Sequence, residues 1–173
     1  VTIAIYVDDT LVSAPTQQEV DATIAEILGE FDGKTIKPVI SGDVEIRDIL
    51  GVRLQYCRKR KWCKLDLEEA IVKMCEKFNI DKGRPISTPC VYTDLAAGKV
   101  SENYPLRSLL GSMQYIATMG RPDCCFAVNR LARHAENPTS SVVTAAVRIA
   151  RFMLQTKEVG LEYSPARAKA FRD

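Results

Sequence analysis

Two adjacent aspartates, Asp8 and Asp9, follow the strand-length apolar run Val1-Thr2-Ile3-Ala4-Ile5-Tyr6-Val7, and a second β-prone run, Leu11 to Ala14, comes directly after. The pattern predicts a tight hairpin with carboxylates at its tip. Paired carboxylates are hard oxygen ligands. On rigid strands beside a cleft they suit Mg²⁺ held against the phosphates of a nucleotide. The plainer reading is a polar turn, since aspartate favours turns for its own local hydrogen bonds. A second chemical candidate is the run Arg58-Lys59-Arg60-Lys61, followed by Trp62. Four consecutive cations could touch nucleic-acid phosphates with salt-sensitive, sequence-independent affinity. A solvated hairpin loop accounts for them equally.

Other reactive residue types read as structure. Arg121 and Asp123 look like a helix start with an internal ion pair. The only histidine, His134, is expected on an exposed helical face. Met113, Met119 and Met153 read as core filler. The six cysteines, Cys57, Cys63, Cys75, Cys90, Cys124 and Cys125, include no CxxC pair. A zinc site is therefore not expected, and the thiols read as reduced and largely buried in an intracellular protein.

These candidates need a scaffold, and 173 residues with 46% apolar and 27% charged side chains can supply one domain or two small lobes. A net charge of +2 is too balanced to argue nucleic-acid binding from bulk charge. No apolar run approaches the 18 or so residues of a spanning helix, so no membrane partner is expected. The chain opens inside a strand, without an initiator Met or a leader-like segment, and reads as a fragment.

Thr16 with Glu19 three residues on forms a capping box, and Val20, Ile24, Ile27, Leu28 and Phe31 then recur at helical spacing over about four turns. Ile49 to Tyr56 alternates like a half-buried strand, in which Gly51 could mark a bulge. After the basic turn, Trp62 to Leu65 reads as a returning strand. Asp66 opens a helix with the stripe Ile71, Val72, Met74, Cys75 and Phe78. Three further helices follow: one carrying Leu106, Leu109, Leu110, Met113 and Ile116, one starting at Arg121-Pro122-Asp123, and one capped by Asn137-Pro138. Gly160 to Tyr163 closes as a short strand. The expected organisation is residues 1–80 as a mixed front, 81–104 as a Pro- and Gly-containing linker, and 105–173 as a helical segment.

The residues, in this order, resemble the reverse transcriptase of copia-type LTR retrotransposons from about Val1 to Pro165. The landmarks are Tyr6-Val7-Asp8-Asp9, Leu50-Gly51-Val52-Arg53-Leu54, Phe78-Asn79-Ile80 through Pro85-Ile86-Ser87-Thr88-Pro89, Leu110-Gly111-Ser112-Met113-Gln114-Tyr115, Arg121-Pro122-Asp123 with Ala127-Val128, and Ala146 through Gly160-Leu161. Gly120 replaces the family's threonine, and Cys90 and Cys124-Cys125 replace apolar or small residues.

The resemblance implies an α+β fold: a partial polymerase palm with an antiparallel β-hairpin, then a mainly helical thumb and connection lobe. It implies RNA-directed DNA polymerisation, with Asp8 as a primary Mg²⁺ ligand, Asp9 in support, and Mn²⁺ as a substitute ion. It sets Tyr6, Val7 and Gly51 near primer and nucleotide. The implied partners are an RNA template, a DNA primer, deoxynucleoside triphosphates and the rest of the polyprotein. That remainder includes the fingers, the RNase H domain and the upstream palm with its third carboxylate, without which the segment is expected to be inactive. The implied location is the cytoplasm, with virus-like particles or the nucleus as further compartments. The competing expectation is a non-catalytic remnant that binds nucleic acid or protein. Another palm-type nucleotidyltransferase would leave the motifs after Gly111 unexplained.

Overall fold

The computed structural model of the chain describes residues 1–90, 94–100 and 104–170. Among them the architecture is α+β: a two-stranded hairpin, a five-stranded antiparallel sheet and six helices. The hairpin joins β1 (Thr2–Tyr6) to β2 (Asp9–Ser13) in the register Tyr6↔Asp9, so only Val7 and Asp8 form its turn. Helix α1 (Gln17–Glu30) packs on β2 and starts as expected. The Glu19 amide donates to the Thr16 hydroxyl, while the Thr16 amide donates to the Glu19 carboxylate. Its apolar stripe, however, finds little to bury against. No α1 residue is fully buried, and Leu28 and Phe31 lie exposed, because a two-stranded ribbon offers one narrow face.

The larger sheet runs in the order β3 (Val39–Ser41), β4 (Val44–Ile49), β5 (Val52–Cys57), β6 (Trp62–Asp66) and β7 (Leu161–Tyr163). The alternating run Ile49 to Tyr56 is divided rather than continuous. Leu50 and Gly51 take φ of 55° and 75° and reverse the chain between the paired residues Ile49 and Val52. Two successive positive-φ residues make a type I′ turn, whose twist matches that of the flanking strands. Gly51 is thus a turn glycine and not a bulge.

Helices α2 (Glu68–Lys77), α3 (Leu106–Gly120), α4 (Pro122–Ala132) and α5 (Ser140–Gln155) share one apolar core with the sheet. The core takes Val52 from β5, Leu67 from the β6–α2 junction, Ile71 and Met74 from α2, and Met113, Val128 and Ile149 from the three later helices. Met113 and Met153 are buried there, whereas Met119 points outward. Thr139, rather than Asn137, caps α5 by accepting the Val142 amide at 3.3 Å. His134 sits half-buried in the turn beyond α4 instead of on a helical face. The segments 81–90 and 94–100 form no helix or strand beyond a single bridge, Val100 to Thr139. A short α6 (Pro165–Ala170) follows β7. No described helix is long and apolar enough to cross a membrane.

Candidate active site

Asp8 and Asp9 sit where an apolar strand meets its return, and the strand pairing fixes their positions. Asp8 occupies the turn, and Asp9 is the first residue of β2, directly opposite Tyr6. Both are exposed. Val7 takes φ of 50° and Asp8 does not, the pattern of a type II′ turn whose first position normally falls to glycine. A β-branched residue in that region stores strain, on the order of 1–3 kcal/mol. The hairpin leaves Val7 81% exposed and Ile5 71% exposed, so burial does not compensate for it locally. Among the described residues no cluster of three or more His, Cys, Asp or Glu side chains could hold a metal ion. The tip therefore presents two carboxylates and no third.

Gly51 is held through Tyr115 on α3, whose phenolic oxygen lies 3.7 Å from the position a Cβ on Gly51 would take. The Tyr115 hydroxyl donates to the Leu50 carbonyl, and the Gly51 amide donates to Asp48 Oδ1 at 3.1 Å. Burial pushes the Tyr115 phenol above its ordinary range, and the fields of Asp48 and Tyr6 add to the shift. The Leu50–Gly51 turn is thus tied to α3 within electrostatic reach of the hairpin's tyrosine. Nothing in the local spacing announced this tie; the only sign was Tyr115's place in the motif ending at that residue.

The basic run lies elsewhere. Arg58 to Lys61 connects the paired residues Cys57 and Trp62 at the opposite end of β5 from Gly51, roughly 20 Å along the strand. Three of its cations have neighbours of their own. Arg58 lies 3.7 Å from Glu45, Lys59 pairs with Asp43 at 2.9 Å, and Arg60 donates to Cys57 Sγ at 3.3 Å while covering the Trp62 ring. Lys61 adopts φ of 50° at the loop's close.

Two polar networks lie away from these residues, and the first had no signal in the local sequence. Arg53 stands across the β5–β6 ladder from Asp66, whose side chain is fully buried. It contacts Asp66 at 2.8 Å and Glu68 at 2.7 Å; Gln55 donates to Asp66, and Lys157 pairs with Glu68. The Lys157 ammonium and then Arg53 hold the Glu68 carboxyl below its ordinary value, against a smaller opposing effect of burial. The second network centres on Arg121, 1% exposed. Its guanidinium forks onto Asp123 at 3.0 and 2.8 Å, donates to the Thr156 carbonyl and hydroxyl, and lies over the Phe152 ring. These bonds tie the start of α4 to the end of α5, so Arg121 and Asp123 form the structural ion pair expected of them.

In comparison with known proteins, the chain is similar along most of its length to segments of transposon Gag-Pol polyproteins of the Ty1 type. It is similar to the transposon Ty1-DR4 and Ty1-DR6 Gag-Pol polyproteins and to the transposon TyH3 Gag-Pol polyprotein, all of Saccharomyces cerevisiae. Each is 27% identical over 171 residues, covering 91% of this chain and 10% of the relative. The chain thus spans about a tenth of the length of the curated relatives it matches. No protein-family model matches it, and no solved structure does.

Proposed function

We propose that this chain carries part of the catalytic site of an RNA-directed DNA polymerase, within a copia-type retrotransposon polyprotein. One observation carries the reading: the Tyr6-Val7-Asp8-Asp9 box closes a two-residue hairpin turn with both carboxylates exposed at its tip. Homology to Gag-Pol polyproteins over nearly the whole chain supports it. The donor set suits Mg²⁺ as that ion is usually held, by one or two carboxylates with phosphate oxygens and water in the remaining positions. Asp8 would be the primary ligand and Asp9 its support, with Mn²⁺ as a substitute ion. When bound, the metal would supply charge stabilisation for the attacking and leaving oxygens of an in-line nucleotidyl transfer.

The chain's own residues serve that chemistry by position. The Tyr6–Asp9 pairing and the strained Val7 hold the carboxylates at a fixed tip. The Leu50–Gly51 turn, tied down by Tyr115, offers a fixed stretch of backbone against which a primer end would rest. The partners in this reading are an RNA template, a DNA primer, deoxynucleoside triphosphates and the remaining polyprotein segments. Among the described residues no third carboxylate joins the tip; this reading draws it from an upstream palm segment, so the chain by itself is expected to be inactive, because alignment of the reacting groups needs the complete cage.

Primer extension tests the reading with three samples: the chain alone, the chain joined to its upstream coding region, and the longer polypeptide carrying Asp8→Ala. The expected result is extension by the second sample only. Undiminished extension by the third would remove the assignment. A non-catalytic nucleic-acid- or protein-binding module is the second reading, favoured by the two-carboxylate tip. Absence of extension by every sample, with binding intact, would select it.

A further inference from the structure

With the Arg58–Lys61 loop largely satisfied by its own neighbours, the cations available to a polyanion must be sought elsewhere. A groove of about 950 Å³ runs between the backbone strap at residues 83–86 and α5. Ser141, Thr144, Arg148 and Arg151 line it from α5, and their spacing of three, four and three residues puts them on one helical face. The stripe is about 15 Å long, at 1.5 Å per residue. Arg84 faces it from the strap.

This groove is built rather than incidental. Gln155 clamps the strap: its side-chain amide donates to the Lys82 and Arg84 carbonyls, and its oxygen accepts the Ile86 amide at 2.8 Å. Arg151 grips Asp81 through two nitrogens and lies against Gly83, where a Cβ would come within 3.0 Å of its Nε. Arg148 donates one bond, to the Thr88 carbonyl at 3.2 Å, while its Nε is buried with no partner. Among the described residues neither Arg84 nor Arg148 has a carboxylate partner, so the groove holds two uncompensated guanidinium charges and an orphaned donor. The exposed Asp81 pair can also exchange, since such surface pairs are weak.

We propose that this groove is a docking track for the phosphate backbone of a nucleic acid, distinct from the carboxylate tip. It rests on the reading that the chain handles nucleic acid, and not on catalysis. Guanidinium forks match phosphate geometry, the hydroxyls add donors, and at 3.4 Å per strand position a stripe of this length faces about four successive phosphates. Contacts of this kind position a strand without reading its sequence.

The test is a salt titration of binding between the intact chain and a labelled primer–template duplex, followed by fluorescence anisotropy. Arg84→Gln, Arg148→Gln and the double variant are compared with wild type, with Arg167→Gln as a remote control. Each groove substitution is expected to flatten the slope of log K against log salt by about 1, and the double variant by about 2. Sequence changes in the duplex should leave the affinities unchanged. Should Arg148→Gln fail to fold by thermal melting, Arg84→Gln on the exposed strap decides alone. A wild-type slope in the variants, or no binding by the wild-type chain, overturns the proposal. So does tighter, groove-dependent binding of polyglutamate, which would assign the surface to an acidic protein partner. Flattened slopes alongside a failed primer-extension test would keep the groove and discard the catalytic reading; the opposite pair of results would do the reverse.

Discussion

Replacing Arg121 with alanine probes whether the Arg-Pro-Asp motif serves chemistry or architecture. The side chain is 1% exposed and makes four hydrogen bonds to Asp123 and Thr156. Asp123 is 43% exposed and can turn to water once released, so its loss of a partner is only partly felt. The Thr156 carbonyl has less freedom at the half-buried end of α5, and an unsatisfied buried acceptor costs about 1–3 kcal/mol, of which a half-buried one loses part. Breaking a buried pair costs about 3–5 kcal/mol. With the Asp123 side discounted for solvent, the total should be about 3 kcal/mol. For a chain of this size that lowers Tm by about 6–12 °C. Arg121→Lys keeps the charge but not the fork, and should recover less than half of the loss. Urea and thermal unfolding followed by circular dichroism measure both. A loss below about 1 kcal/mol for Arg121→Ala would refute the architectural account, as would full recovery by lysine.

Three further outcomes follow from the packing and charge of the same fold. Gly160→Ala should cost about 2–3 kcal/mol and loosen β7, because the added Cβ would stand 2.2 Å from the Leu65 carbonyl, which is backbone and cannot swing aside; urea unfolding reads the loss, and a neutral variant contradicts it. Glu68, held low chiefly by Lys157, contributes stability that is present above its unfolded value of 4.5 and is lost as pH falls through its lower folded value. Unfolding between pH 6 and 3 should show this acid loss, and Glu68→Gln should flatten it; an unchanged profile counts against the network. Burial pushes the Cys75 and Cys124 thiols up to about 11 and about 12, so at pH 8 both should resist iodoacetamide in the folded chain. Mass spectrometry reads the labelling, and rates equal to those in urea would refute their burial.

Local signals were legible wherever both partners of an interaction lie within a few residues. Thr16 and Glu19 are three apart and cap α1 reciprocally, and the α3 stripe from Leu106 to Ile116 is buried throughout. The hairpin and its tip acids could be read because strand period and turn chemistry are also local. Leu50–Gly51 misled because an alternating apolar pattern persists across a two-residue turn, and only the backbone angles reveal the reversal. The α1 stripe was visible, but its burial depends on what the hairpin can cover. The closing strand from Leu161 was legible, while its pairing with β6 was not, since Lys64 and Glu162 are brought opposite by the whole intervening chain. The same holds for Arg53, Asp66, Glu68 and Lys157, where no spacing rule links residues so far apart in sequence.

The central claim, that the tip acids are ion ligands in nucleotidyl transfer, is tested most directly by a change of ligand hardness. In the longer polypeptide, Asp8→Cys replaces a hard oxygen with a thiolate, which Mg²⁺ takes poorly and softer ions accept. The measurement is single-nucleotide incorporation with Mg²⁺ and with Mn²⁺ in turn. The account predicts incorporation lost with Mg²⁺ and at least partly restored with Mn²⁺. An Asp8→Cys polypeptide that incorporates as fast as wild type with Mg²⁺ would contradict it.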